Sequence, residues 1–192
     1  MKRDAKTDIL NAGADLIHRQ GFNRTGLKEI LDAAGVPKGS FYFYFKSKED
    51  FGTALIDHFM GIMGEAARPV LGDPATAPIE RLKRFFGTRR ERFEAGGCER
   101  GCFIGNLAQE MSDLSPSMRQ GVCRAFSALA TTLENLLSEA AQCGDIPADI
   151  EPGRTAAFIL DAWEGALLRM KAEKSVEPLR RFEDMVFNRL LR

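Results

Sequence analysis

Apolar residues recur with a helical period along nearly the whole chain. Met118, Val122, Phe126, Leu129, Leu133, Leu136 and Ala140 are three or four apart, so on a helix they form one stripe, closed by Gly144 and Pro147. Ile159, Ala162, Trp163, Ala166, Leu167 and Met170 mark another helix, and Leu179, Phe182, Val186 and Leu190 a last one. Near the start, Ile9, Gly13, Leu16, Ile17 and Gln20 share a face, and Gly21 just beyond them is a stop signal. The pattern breaks at residues 21–24, 35–37, 72–78, 96–101, 144–152 and 175–178, where glycine and proline gather. These features predict an all-α fold without internal repeats or low-complexity tracts.

Composition narrows the partners. The chain has 192 residues, and its 44% hydrophobic content is enough for a substantial core. Lys plus Arg and Asp plus Glu both number 27, so any attraction to nucleic acid must be local. Over residues 1–50, Lys2, Arg3, Lys6, Arg19, Arg24, Lys28, Lys38, Lys46 and Lys48 face Asp4, Asp8, Asp15, Glu29, Asp32, Glu49 and Asp50, a surplus of two. The first ten residues, MKRDAKTDIL, lack a signal peptide's apolar region, and no apolar run nears the roughly 18 residues of a membrane span. A cytoplasmic protein without membrane contact is therefore expected. There Cys98, Cys102, Cys123 and Cys143 should be thiols, and with His18 and His58 as the only histidines neither a metal nor a cofactor is expected.

The most specific stretch is TGLKEILDAAGVPKGSFYFYFKSKED, from Thr25 to Asp50. Thr25 can cap a short helix whose inward residues are Leu27, Ile30, Leu31 and Ala34, and Gly35 can take the left-handed conformation that ends it. Pro37 and Lys38 then begin a second short helix. Two short helices joined by a glycine turn form a helix-turn-helix. The aromatic row Phe41-Tyr42-Phe43-Tyr44-Phe45 is a strand signal in isolation, but a lone strand has no partner in a helical chain. On a helix Phe41 and Phe45 share the inward face, while Tyr42 and Tyr44 can project their hydroxyls outward.

In order and spacing, this run resembles the DNA-binding signature of TetR-family transcriptional regulators: Thr25, the turn Ala33-Ala34-Gly35-Val36, Gly39, Tyr42, Phe45 and the pair Lys48-Glu49. Tyr44 departs from the family, which often has histidine there. The resemblance implies a three-helix DNA-binding domain over residues 1–48, followed by a helical-bundle effector-binding and dimerisation domain over 49–192. A short helix fits the major groove, its first residues reading base edges while neighbouring lysines and tyrosines hold phosphates. Lys38 and Ser40 are assigned to base edges, Tyr42, Tyr44 and Lys48 to phosphates, and Thr25, Lys28 and Lys46 to further phosphate contacts. A surplus of two charges binds DNA weakly, because phosphate neutralisation supplies much of the affinity. A homodimer through the two C-terminal helices would place two reading helices roughly 34–36 Å apart on a palindromic operator in double-stranded DNA.

The middle of the chain should receive the signal, a small-molecule effector. Asn106, Gln109, Glu110 and Glu164 interrupt otherwise apolar helical patterns, and polar groups kept in such places often have partners. Cys102 follows Gly101 and opens a helix, where the dipole favours a thiolate. The segment GGCERGCFIGNLAQEMSDLSP, with WEGALLRMK later, resembles the electrophile-responsive branch of the TetR family, whose members sense N-ethylmaleimide, quinones, reactive aldehydes or acrylate. That resemblance implies that Cys102 is the sensor, with Phe103, Asn106, Phe126, Trp163 and Lys171 around it. Arg169 or Lys171 would hold the thiolate, and Cys98 could resolve an oxidised sulfur. Covalent modification and a noncovalent pocket both remain open, as do repression and activation.

No nucleophile elbow, phosphate loop or metal-spaced histidine pair is present, and the glycines at 96, 97, 101 and 105 do not follow a strand. The chain is therefore not expected to be an enzyme. The competing reading is a helical adaptor that does not bind specific DNA.

Overall fold

A computed structural model describes residues 4–192, so Lys2 and Arg3 of the local charge count lie outside the described residues. Among them there are nine α-helices and no strand: α1 Ala5–Gln20, α2 Leu27–Ala34, α3 Phe41–Tyr44, α4 Lys48–Leu71, α5 Pro78–Ala95, α6 Phe103–Met111, α7 Pro116–Gln142, α8 Pro152–Glu173 and α9 Glu177–Met185. A 3₁₀ turn, Lys38–Ser40, leads into α3, and a π turn, Val186–Leu190, continues α9. The helices cluster into two compact units.

The first unit holds the described residues up to Met63 together with Phe103–Ala125. Helix α1 starts at Asp4, whose carboxylate accepts from the Lys6 amide at 3.2 Å, and stops at Gly21, whose φ of 90° a side chain would resist. Helix α2 ends as its sequence implies. Gly35 sits at φ 62°, ψ 38°, its amide donates to Asp32, and the Val36 amide donates to Leu31, closing a Schellman turn. The aromatic row divides by burial. Phe41 and Phe45 are enclosed with Phe51 of α4, at ring separations of 5.3, 5.7 and 5.2 Å. Phe45 itself is extended, at φ −135° and ψ 131°, so α3 is a single turn and shorter than the helix expected from sequence. Gly13 of α1 lets Phe51 approach so closely that a Cβ there would clash with its ring. The Ser47 hydroxyl receives the Asp50 amide at 3.1 Å, while the Asp50 carboxylate accepts from the Lys46 amide at 2.8 Å, fixing the start of α4.

The second unit holds Gly64–Cys102 and Phe126–Arg192. Its core joins Leu82 and Phe86 of α5, Leu133, Leu136 and Leu137 of α7, Ile159, Trp163, Leu167 and Met170 of α8, and Leu179 and Phe182 of α9. Trp163 packs against Phe86 and Phe182 with centroids 4.9 and 5.1 Å away. Arg81 is buried, and its two terminal guanidinium nitrogens reach the Leu71 carbonyl and an ion pair with Glu139, while its Nε is buried without a hydrogen-bond partner. No helix among the described residues is long and apolar enough to cross a membrane.

Candidate nucleic-acid interface and thiol site

In the first unit, the turn from Lys38 to Lys46 carries an exposed face. Lys28, Lys38, Tyr42 and Lys46 are exposed, and Ser40 and Tyr44 are partly so. Phe41 and Phe45 anchor the turn from beneath, so the residues between them are directed outward. Five of the eight residues assigned to DNA from sequence therefore share accessible positions on this turn, and a sixth, Lys28, is exposed on α2.

The other two lie elsewhere. Thr25 is fully buried and does not cap α2. The cap position is Gly26, and the Thr25 hydroxyl donates instead to the Gly21 carbonyl at 2.6 Å, tying the end of α1 to the start of α2. Lys48 turns inward, donating its ammonium to the Phe22 carbonyl at 2.7 Å and the Asn23 carbonyl at 3.5 Å, with its Nζ 4.7 Å above the Phe22 ring. Burial pulls this ammonium below its ordinary pKa, and the Glu110 carboxylate opposes the shift. Both residues organise the α1–α2 loop.

Glu110 completes that loop. From α6, its two carboxylate oxygens accept from the Phe22 amide at 2.7 Å and the Asn23 amide at 2.6 Å. The loop is thus gripped at its amides by a carboxylate and at its carbonyls by an ammonium. Sequence reading marks Glu110 as polar within an apolar pattern but gives it no partner, because the contact spans 88 residues. Elsewhere in the same unit, buried Ser115 donates to Glu49 at 3.1 Å and receives the Met118 amide at 3.4 Å, capping α7. Phe103 is also buried in this unit, stacked on Phe59 at 4.5 Å and edge-on to His18 at 5.4 Å.

In the second unit, the segment before α6 is unusual. Gly97, Cys98, Arg100 and Gly101 all have positive φ, between 56° and 73°. Cys98 and Arg100 thus adopt a conformation that non-glycine residues seldom take. Cys98 is buried in the core, whereas Cys102 is partly exposed. Two of the groups acting on Cys102 are Glu164 of α8, which hydrogen-bonds the sulfur, and Arg89 of α5, which feels its charge. Burial raises the Glu164 pKa, and the bond to Cys102 offsets part of that rise. Burial lowers the Arg89 pKa, and the Cys102 sulfur counteracts it. Arg89 is thus a cation acting on this thiol that sequence reading missed. Arg169 is committed to Glu173, its Nε donating at 2.8 Å. Asn106 is partly buried on α6, and Lys171 lies partly buried in the last turn of α8. Trp163 is core rather than a cavity wall, and Phe126 packs against the same core. Neither of two grooves on this unit, one lined by Lys83, Arg90, Arg180 and Glu183 and the other by Phe158, Ala166, Met185 and Val186, includes any of the six effector candidates.

An all-helical chain with an N-terminal helix-turn-helix and an exposed lysine- and tyrosine-bearing reading turn is a DNA-binding regulator. Residues 9–55 match the family described as bacterial regulatory proteins, tetR family, and residues 78–186 match the tetracyclin repressor-like C-terminal domain. The transcriptional regulator AcuR of Cereibacter sphaeroides is 36% identical over 93% of this chain and 81% of its own. The HTH-type transcriptional repressor DhaR of Mycobacterium sp. strain GP1 is 33% identical over 95% and 90%. The crystal structure of Escherichia coli NemR in its reduced form is similar with a TM-score of 0.86 and 29% identity, covering 97% of each chain. The chain belongs to the TetR family, on the AcuR- and NemR-like branch, and is a transcriptional regulator rather than an enzyme.

Proposed function

We propose that this chain is a homodimeric repressor released from a palindromic operator by an electrophile that modifies Cys102. Residues 1–48 would bind DNA, and residues 49–192 would receive the effector and dimerise. The observation that carries the reading is the setting of Cys102, with a hydrogen-bonding carboxylate whose pKa is raised and a guanidinium both acting on its sulfur. Glu164 would take the thiol proton, and Arg89 would stabilise the sulfur anion. With an activated alkene, sulfur forms a bond to the electron-poor carbon. The proton leaves sulfur for Glu164 and then reaches the carbon alpha to the activating group, so no group is expelled.

Chain continuity supplies the transmission. Cys102 immediately precedes α6, and Glu110 near the other end of α6 holds the Phe22 and Asn23 amides. A shift of α6 on modification would loosen that grip and favour a state with poorer DNA affinity. Dimerisation through α8 and α9 is supported by Phe158 and Met185, apolar yet 57% and 55% exposed, which border a groove with Ala162, Ala166, Phe182 and Val186.

The test is fluorescence anisotropy on a labelled duplex from upstream of the chain's own gene, with excess nonspecific DNA, before and after N-ethylmaleimide. Tight binding abolished by the reagent, and retained by Cys102→Ser, is expected. A Cys102→Ser protein still released by the reagent would refute sensing at this thiol.

A further inference from the structure

The exposed reading turn contains one residue to which the site described above gives no role. Phe41 and Phe45 fill the core, and Tyr42 and Tyr44 carry hydroxyls that can donate to phosphate. Phe43 has no polar atom in its side chain and is 83% exposed, more than any other large hydrophobic residue among those described. Its ring stands edge-on to Tyr44 with centroids 5.0 Å apart. Two residues after buried Phe41 on a helical turn, it is rotated about 200° from the core-facing direction. Because Phe41, Phe45 and Phe51 hold one another, that outward direction is fixed.

We propose that Phe43 is a specificity-determining residue that covers the 5-methyl group of a thymine in each operator half-site. The inference rests on the operator-binding reading and deepens it. Phosphates and most base-edge atoms require a hydrogen-bond donor or acceptor, which a phenyl ring lacks. The major-groove edge presents one methyl group, that of thymine, and apolar contact with it is a direct form of readout. The neighbours agree with this division of labour: exposed Lys46 ends the turn and can neutralise a phosphate, while exposed Lys38 begins it beside the base edges, leaving its centre for further base contact. A helical turn with its side chains is about 10–12 Å across, which suits the major groove of about 12 Å and not the minor groove of about 6 Å.

The operator would first be obtained by selecting bound duplexes from a random pool. Each thymine would then be replaced singly by deoxyuridine, which lacks only the 5-methyl, and anisotropy measured with the full-length protein and with Phe43→Ala and Phe43→Leu. Covering one methyl predicts that deoxyuridine at one symmetric position weakens the unmodified protein about fourfold per half-site. Phe43→Ala should lose that sensitivity while keeping the penalties at every other position, and Phe43→Leu should retain part of it. Its exposure means that neither variant should alter the melting temperature. Deoxyuridine penalties that are the same in Phe43→Ala as in the unmodified protein overturn the inference alone. Failure to select any duplex overturns the operator reading and the inference together.

Discussion

Glu110→Ala should destabilise the first unit by an amount set by two hydrogen bonds. The Glu110 carboxylate receives the Phe22 amide at 2.7 Å and the Asn23 amide at 2.6 Å. Losing a partner from a bond to a charged group costs about 1.5–3 kcal/mol when water cannot replace it. The bond at Phe22 is part-buried and counts nearly in full, whereas the exposed one at Asn23 is rehydrated and adds little. The expected loss is therefore about 2 kcal/mol, or about 4–8 °C in Tm for a chain of this size. Lys48→Met removes the ammonium from the Phe22 carbonyl and should also destabilise. Since both side chains hold the same dipeptide, the double variant should lose less than the sum, with a coupling of about 0.5–1.5 kcal/mol. Urea unfolding followed by circular dichroism measures all three. A loss below about 0.5 kcal/mol for Glu110→Ala, or strict additivity with Lys48→Met, would refute the account of this loop.

The raised pKa of Glu164 gives stability a definite pH dependence. Its contribution is fully present below the ordinary carboxylate pKa and is lost as pH rises through the higher folded value, because ionisation then leaves a poorly solvated charge; urea midpoints across this range should fall with pH in the native protein and flatten in Glu164→Gln. Phe158→Glu places a charge on the exposed α8 face, and light scattering should show a shift from dimer to monomer with weaker operator binding. Gly13→Ala gains about 1 kcal/mol in helix propensity but drives a methyl into Phe51, a clash of about 1–3 kcal/mol against a ring already boxed by Phe41 and Phe45, so thermal unfolding should show a net loss.

The helical period and the glycine turn make the fold readable from sequence, since both are local. Gly35 ends α2 where its conformational freedom predicts, and Phe41 and Phe45 divide from Tyr42 by the geometry of one turn. The roles of Thr25 and Lys48 were not readable in this way. Thr25 is placed one residue too early to cap and reaches back to Gly21, while Lys48 finds its partners 26 and 25 residues upstream. A lysine's charge suggests solvent or phosphate until a carbonyl pair near an aromatic ring is seen to take it. The thiol's neighbours escaped for the same reason: Arg89, Cys102 and Glu164 belong to distant segments, and no spacing rule joins them.

These magnitudes also bear on how a thiol could govern DNA affinity. Allosteric couplings are typically about 1–3 kcal/mol. A grip worth about 2 kcal/mol on the α1–α2 loop falls within that range, so releasing it would suffice without unfolding either unit. The same comparison limits what the strained approach to Cys102 must contribute. Residues held at positive φ cost on the order of 1–3 kcal/mol each, and Cys98 and Arg100 both adopt it just before α6 begins. Modification of Cys102 that lets this segment relax would make available free energy of the size needed to displace Glu110 from the Phe22 and Asn23 amides. A small chemical change at the start of α6 can therefore be matched to a discrete change near its end, in the loop between α1 and α2.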